Sequence, residues 1–306
     1  MSNQLFHRAC FVTVSKQGVG LLDSGLGNSR RLQGRIQFKI VSDTASGANK
    51  CTLVIFNLSK PTLDFLAQEN LVYILSAGYM PPNGTGAKAL FIGKPNEKNG
   101  FHSQRKGANV LTKIELGDSE QEIEGAFTNI SIKETVSLNN IITMLLNDFN
   151  LSIGHQDRLP EVSFQNGFSA SGKISKILDD LGKKAGFEWS VQSGQVIILQ
   201  DRNTINQTGY VVSKNTGMVG TPIKSKEKIE FQTLINNELR PGVLAVVESD
   251  ILGRVEVRID KVTYNGDSWE GNWTQKIEGT PRPSSLPPPV FALDFAGGVG
   301  VRRGEL

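Results

Sequence analysis

The strongest chemistry-bearing string in the 306-residue chain is Gly167-Phe-Ser-Ala-Ser-Gly172-Lys173-Ile174, which matches G-x-x-x-x-G-K. Such a loop cradles phosphates with backbone N–H groups, and the Ser or Thr that follows holds Mg²⁺. Ile174 stands at that position, so the metal-holding hydroxyl is absent. A nucleotide-binding sheet also needs repeated βαβ units, and the patterns here leave room for about one. The string therefore reads as a glycine turn entering a capped helix. His7, His102 and His155 fall in three separate segments, and neither Cys10 nor Cys51 belongs to a C-x-x-C or neighbours a histidine. No zinc site is expected from such scatter, and both cysteines sit in apolar strand patterns, as small core residues do. Asp179 and Asp180 are adjacent on an expected helix and point different ways, toward solvent. Trp269 and Trp273, at i and i+4 of an expected strand, share a face. With Tyr264 they make either a sugar or base platform or a packed core. No catalytic constellation emerges, and no cofactor or metal is expected.

The elements that position these residues are mostly strands. Ala9 to Val14 and Arg35 to Ile40 alternate polar and apolar residues, the period of half-buried strands. Cys51 to Phe56 and Leu71 to Ala77 are rich in β-branched and aromatic residues. Between them Ser59, Pro61, Leu63 and Leu66 predict a short capped helix. Residues 93–109 are polar and turn-forming and predict a long hairpin loop. Strands are expected again at Val110–Leu116 and Gln121–Phe127. The period then changes. Leu138, Ile141, Ile142, Leu145, Leu146 and Phe149 form a helical stripe over about 137–149, with Ser137 placed to cap it. A second helix, about 172–185, carries Ile174, Ile177, Leu178, Leu181 and Ala185 and stops at Gly186. Glu188 to Leu199 predicts a hairpin turning at Ser193-Gly194. Further strands are expected at Tyr210–Ser213, Ile229–Leu234, Val243–Glu248, Gly253–Tyr264 and Trp269–Glu278.

Composition narrows the class. Hydrophobic residues make up 38% and charged residues 21%, which supports buried cores. No apolar run of about 18 residues is present to cross a membrane as a helix. The first residues lack the basic, apolar and small-residue order of a secretory signal, and two cysteines make no disulfide framework, as expected of a protein folded in a reducing cytoplasm. A net charge of +3 announces no nucleic-acid binder. The charge is uneven, however. Residues 1–110 hold 13 Lys/Arg against 5 Asp/Glu, whereas residues 111–150 hold two lysines against seven acids. These are either two solvated faces or complementary faces of neighbouring subunits.

From Thr280 the chain changes again. Pro281, Pro283, Pro287, Pro288 and Pro289 disfavour helix and ladder, so an extended arm over 281–306 is expected. Val290, Phe291, Leu293 and Phe295 form an apolar cluster, and Arg302 and Arg303 a basic end. They are either a partner-docking segment or a solvated tail.

The order of several motifs resembles bacteriophage baseplate hub proteins over about residues 30–280. They include Cys51-Thr-Leu-Val-Ile-Phe-Asn-Leu-Ser59, Ala77-Gly78-Tyr79, Leu90-Phe91-Ile92-Gly93, Arg105-Lys106-Gly107-Ala108-Asn109 and Ile114-Glu115-Leu116-Gly117-Asp118. Asn166 to Gly172, Gly186 to Val191, Ser213 to Pro222, Leu239-Arg240-Pro241-Gly242 and Gly266 to Trp273 continue it. Pro95 stands where that family continues a strand. The resemblance implies a mainly β (α+β) chain with two tail-tube-like β-barrel or sandwich domains. They would span 1–130 and 206–280, separated by a small α/β insert at 131–205 and followed by the arm. It also implies a non-enzymatic homotrimer forming a pseudo-sixfold ring between a hexameric tail tube and a trimeric central spike. Tape measure and baseplate wedge proteins are further expected partners, with genomic DNA passing through. The expected location is the virion tail tip, after assembly in the bacterial host cytoplasm. Arg105 and Lys106 are expected at the lumen or a subunit contact, and the arm residues at a partner interface. A cell-wall-degrading or carbohydrate-binding tail component is the alternative.

Overall fold

Alternating apolar and polar residues run through most of the chain, and the elements follow that pattern. The computed structural model describes residues 7–16, 28–80, 86–96, 101–149, 151–206, 208–282 and 291–294. β1 (Arg8–Lys16), β2 (Ser29–Leu32), β3 (Ile36–Asp43) and β4 (Lys50–Phe56) lead to α1 (Lys60–Leu66). β5 (Leu71–Tyr79), β6 (Gly86–Pro95), β7 (Phe101–Lys106) and β8 (Asn109–Gly117) follow, then α2 (Glu120–Gly125) and β9 (Phe127–Ile132). The middle holds β10 (Val136–Ser137), α3 (Leu138–Phe149), β11 (Ser152–Gln156), β12 (Ser163–Phe164) and β13 (Phe168–Lys173). It ends with α4 (Ile174–Ala185), β14 (Phe187–Gln192) and β15 (Gln195–Gln200). The last part is β16 (Thr208–Val212), β17 (Met218–Lys224), β18 (Ile229–Leu234), β19 (Leu244–Ser249), β20 (Gly253–Asp267), β21 (Trp273–Pro281) and β22 (Phe291–Asp294). The fold is mainly β.

Among the described residues one large sheet joins the two β-rich regions, in the order β17-β18-β21-β20-β3-β4-β8-β6-β5-β1-β2. The seam is the antiparallel pairing of Lys261–Asp267 in β20 with Gln37–Asp43 in β3. A branch runs from β20 through β19 and β16 to β22, and its last two pairings are parallel. Both regions share one apolar cluster, with Val12, Ile40, Leu53 and Tyr73 from the first and Ile229, Val247, Val262 and Ile277 from the second. A separate cluster runs from Ile123 to Ile198 and holds the whole expected stripe of α3 against Ile174, Leu178 and Trp189.

The two long helices obey their sequence signals. The Asn140 N–H donates to Ser137 Oγ at 3.3 Å, closing the first turn of α3. Gly186 ends α4 in the left-handed region at φ 73°, and its N–H bonds to the Gly182 carbonyl at 2.8 Å. The turn between β14 and β15 places Ser193 and Gly194 at φ 53° and 77°, as a two-residue hairpin turn requires.

Four expectations are corrected. Gln121–Phe127 is no strand: α2 forms there because only Ile123 turns inward, while Lys94 binds Glu122 at 2.6 Å and Asn96 binds Glu120 at 3.0 Å. Most of 93–109 is strand rather than loop. β6 continues through Pro95 opposite Leu116, and β7 pairs with β8 although its residues after Phe101 are all exposed. Polarity hid it, since ladder bonds rather than burial hold β7. Trp269 lies in the loop after β20, and Asp179 faces Trp189 rather than solvent, accepting its indole N–H at 2.8 Å.

Where β21 crosses the bulge in β20 the backbones nearly touch. A Cβ at Gly279 would lie 2.3 Å from the Arg258 carbonyl oxygen and 2.5 Å from Val257 Cγ1. Gly279→Ala is therefore expected to destabilise by about 1–3 kcal/mol in chemical denaturation. Gly47→Ala, where nothing lies within 4 Å, should stay within about 0.5 kcal/mol of the parent.

Candidate assembly surfaces

The chemistry-bearing string does not form a phosphate cradle. Phe168–Lys173 is strand β13, paired residue for residue with β9, and it passes directly into α4 at Ile174. Its amides serve a ladder instead of encircling an anion. His7, His102 and His155 remain apart, and His155 Nε2 pairs with Asp157 Oδ1 at 3.0 Å. That carboxylate also accepts the Gln200 N–H and the Asn203 amide, each through Oδ2, so it fixes a turn. Among the described residues no group of His, Cys, Asp and Glu is placed to hold a metal ion. Burial pushes the half-buried Cys10 thiol up to about 12 and the buried Cys51 higher still, which disfavours the thiolate at both.

The aromatic trio is split. Tyr264 and Trp273 are buried, and Trp273 stacks edge-on against Phe38 at 5.5 Å and Tyr79 at 6.5 Å. Trp269 is 69% exposed. The i, i+4 spacing failed as a guide because the strand ends at Asp267 and restarts at Trp273. Core packing holds for two of the three, and no flat platform forms.

The loop that carries Trp269 is firmly anchored. Asp267 Oδ2 accepts from Arg35 Nη2 at 2.8 Å, Arg35 Nε at 3.2 Å and Gln37 Nε2 at 2.8 Å, while its Oδ1 caps the Trp269 N–H at 3.0 Å. Arg8 reaches the Asp267 and Gly271 carbonyls at 2.6 and 2.8 Å and lies over the Trp273 ring. Ser268 Oγ accepts the Ile36 N–H and donates to the Gly34 carbonyl. Burial alone would raise the Asp267 carboxyl, but the hydrogen bonds from Arg35 and Gln37 outweigh it and hold the group below its ordinary value. The result is an exposed aromatic ring on a preorganised loop. Sequence reasoning placed Trp269 on a strand and passed over Asp267, whose side-chain partners Arg35 and Gln37 are more than 200 positions away.

Where the insert meets the main sheet lies a polar cavity of about 200 Å³. Asp118 at its edge accepts the Ser193 and Gly194 N–H groups at 2.6 and 2.9 Å, and Asn49 donates to the Val191 carbonyl at 2.8 Å. Glu238 is bound by Lys88 at 2.9 Å and Tyr210 at 3.1 Å; the Lys88 hydrogen bond, opposed by partial burial, holds its carboxyl below the ordinary value. Tyr264 donates to the Leu239 carbonyl. These bonds join parts of the chain to one another, so the cavity is a seam.

Arg105 and Lys106 are exposed at the end of β7, beside the turn into β8, rather than on a free loop. Of the arm residues, Phe291 and Leu293 fall in β22, in register with Thr208 and Tyr210 of β16. Val290, Phe295, Arg302 and Arg303 lie outside the described residues. The arm also begins later than its prolines suggest. Thr280 and Pro281 complete β21, Thr280 Oγ1 donates to Asp260 at 2.6 Å, and Arg282 pairs with Glu256 at 3.2 Å.

No protein-family model and no curated protein matches the sequence. Solved structures do match in fold. The 43 kDa tail protein of prophage MuSo2 from Shewanella oneidensis superposes with a TM-score of 0.61 at 10% identity, over 90% of this chain and 99% of that one. A tail protein from Neisseria meningitidis MC58 gives 0.54 at 9% identity, over 89% and 96%. An E. coli component of the type VI secretion system, described as similar to T4 tail proteins gp27 and gp5, gives 0.53 at 10% identity, over 83% and 77%. At such identities the likeness is one of fold, and the fold is that of phage tail and hub-like proteins.

The Asp267 clamp generates a pH prediction. A carboxyl held below its unfolded value adds stability that is complete above the usual carboxylate range and is lost as pH falls through the folded value. Asp267→Asn should cost about 1–3 kcal/mol at neutral pH. Thermal unfolding followed from pH 7 to 3 should show a smaller acid-induced loss in this variant than in the parent.

Proposed function

We propose that this protein is a structural hub of a phage tail or a related tail-like particle, a homotrimeric adaptor between tail tube and central spike. The observation that carries the reading is the match along nearly the full length of a prophage tail protein. The similarity to a gp27- and gp5-like secretion component supports the spike-side partner. In this reading the two β-rich regions of each copy contribute to a ring, and the small insert lies outside its wall. The chain works through shape and contacts, with no reaction to perform. The expected partners are the tube protein, the spike, and tape measure and wedge proteins, in the virion tail tip.

The oppositely charged segments suit subunit faces that attract one another during assembly. Part of the acidic segment is already spent within the chain, on Lys94 and Asn96. The basic end of β7, Arg105 and Lys106, is the part best placed for a lumen or a neighbour. A passage for DNA should not grip phosphate, because many Lys/Arg contacts would stall the duplex.

Light scattering on the purified protein should give three times the chain mass of 33.3 kDa. Peptidoglycan incubated with it should remain intact; a monomer that cleaves cell wall would overturn the hub reading. Duplex DNA should bind weakly and be released at moderate salt, as followed by fluorescence anisotropy. Tight, sequence-selective binding would point instead to a regulator.

A further inference from the structure

A groove of about 480 Å³ opens at the corner of the sheet where β17 forms the edge, between that strand and the turn from β19 into β20. A bulge makes it. The pairing with β18 lapses between Val219 and Ile223, and the unpaired Gly220, Thr221 and Pro222 line one wall. The opposite turn is held by the Leu252 N–H on Ser249 Oγ at 3.0 Å, and Lys214 spans to Asp250 at 3.4 Å. Three of the nine large apolar side chains exposed among the described residues belong to this corner: Val219, Ile223 and Ile251. Single apolar side chains on a surface are ordinary, but several around one groove mark a contact site.

The groove suits a side chain and not an added strand. Pro222 and the bulge interrupt the row of backbone groups that a further strand would need. Its occupant is apolar with charged neighbours, because the rim carries Lys214 with Asp250 and Arg254 with Glu248 at 3.2 Å. Trp269 has that character. It is the largest exposed apolar side chain among the described residues, on a loop already clamped, with Arg35 and the exposed Glu270 beside it. Trp269 stands just past one end of the fifteen-residue β20, and the groove lies at the other end, beside Gly253. A copy therefore cannot fill its own groove. Between copies the same two surfaces make a heterologous contact, in which each copy gives one indole and receives one, and such a contact closes into a ring.

We propose that Trp269 of one copy seats in the groove between Pro222 and Ile251 of the next, joining the copies head to tail. This rests on the homo-oligomeric reading above. An aromatic anchor in a preformed pocket is the arrangement that concentrates binding energy, and little ordering is left to do on either side. It also accounts for an indole held rigidly in solvent by a network that no packing of its own ring requires.

Of the three tryptophans Trp189 and Trp273 are buried, so iodide quenching of the full-length protein reads Trp269. The indole should be quenched in the dilute, dissociated protein and protected at concentrations where light scattering shows the oligomer. Trp269→Ala and Ile251→Glu change exposed positions and should keep the circular dichroism of the parent. Each should raise the concentration at which the oligomer dissociates at least tenfold, and together they should do no more than the larger of the two alone. Phe127→Ala removes the other exposed aromatic ring and should leave dissociation unchanged. If an oligomer forms while Trp269 stays open to iodide, or if either Trp269→Ala or Ile251→Glu leaves dissociation unchanged, the contact is wrong and the oligomer reading stands. If the protein is monomeric at every concentration, both fail.

Discussion

The ladder between β3 and β20 is the constraint on which the other arrangements depend. It pairs residues more than 200 positions apart and turns two β-rich regions into one sheet with one core. Closing so long a loop is entropically expensive only once, because the cost grows slowly with length. After that the pairings of β4 with β3 and of β21 with β20 follow from local hairpins. Asp267 stands where this seam ends. Its carboxylate gathers donors from β3 and from its own loop, so the end of the ladder is held by charge-assisted bonds where side-chain packing gives out.

The insert is attached to this seam by a different kind of contact. Its core is separate, and polar groups join it to the sheet: Asp118 on the β14–β15 turn, Asn49 on the Val191 carbonyl, and Arg258 between Glu188 and Asp260. Burial raises the Glu188 carboxyl, against the lowering influence of Arg258, and likewise raises Asp118 against its backbone donors. Buried polar joints of this kind fix orientation, because each donor has one acceptor and an apolar interface could slide.

The same economy appears on the outer surfaces. Trp269 is exposed but stands on a loop clamped at both ends, and the polar strand β7 is held by its ladder, by Phe101 packed at the core edge and by the Ser103–Thr112 hydroxyl pair. Preorganised surface groups lose little entropy when a partner arrives. At the seam the polar side chains bind backbone groups and one another across the insert boundary.

How much was legible in sequence depends on the range of the interactions. The period-2 runs, both long helices, the Gly186 stop and the Ser193-Gly194 turn are set by neighbours a few residues apart, and the chain by itself determined them. It also determined the mainly β class, and the missing hydroxyl at Ile174 spoke against a nucleotide site. The helix at Glu120–Gly125 was hidden because Lys94 and Asn96, its partners, come from another strand. β7 was hidden because its ladder, and not burial, makes it a strand. The separation of Trp269 from Trp273 was decided by Asp267, which ends β20 by binding Arg35 and Gln37. Only the tertiary structure decided that Phe291–Asp294 pairs with β16, since backbone pairing at a sheet edge leaves no pattern in the side chains that a sequence displays.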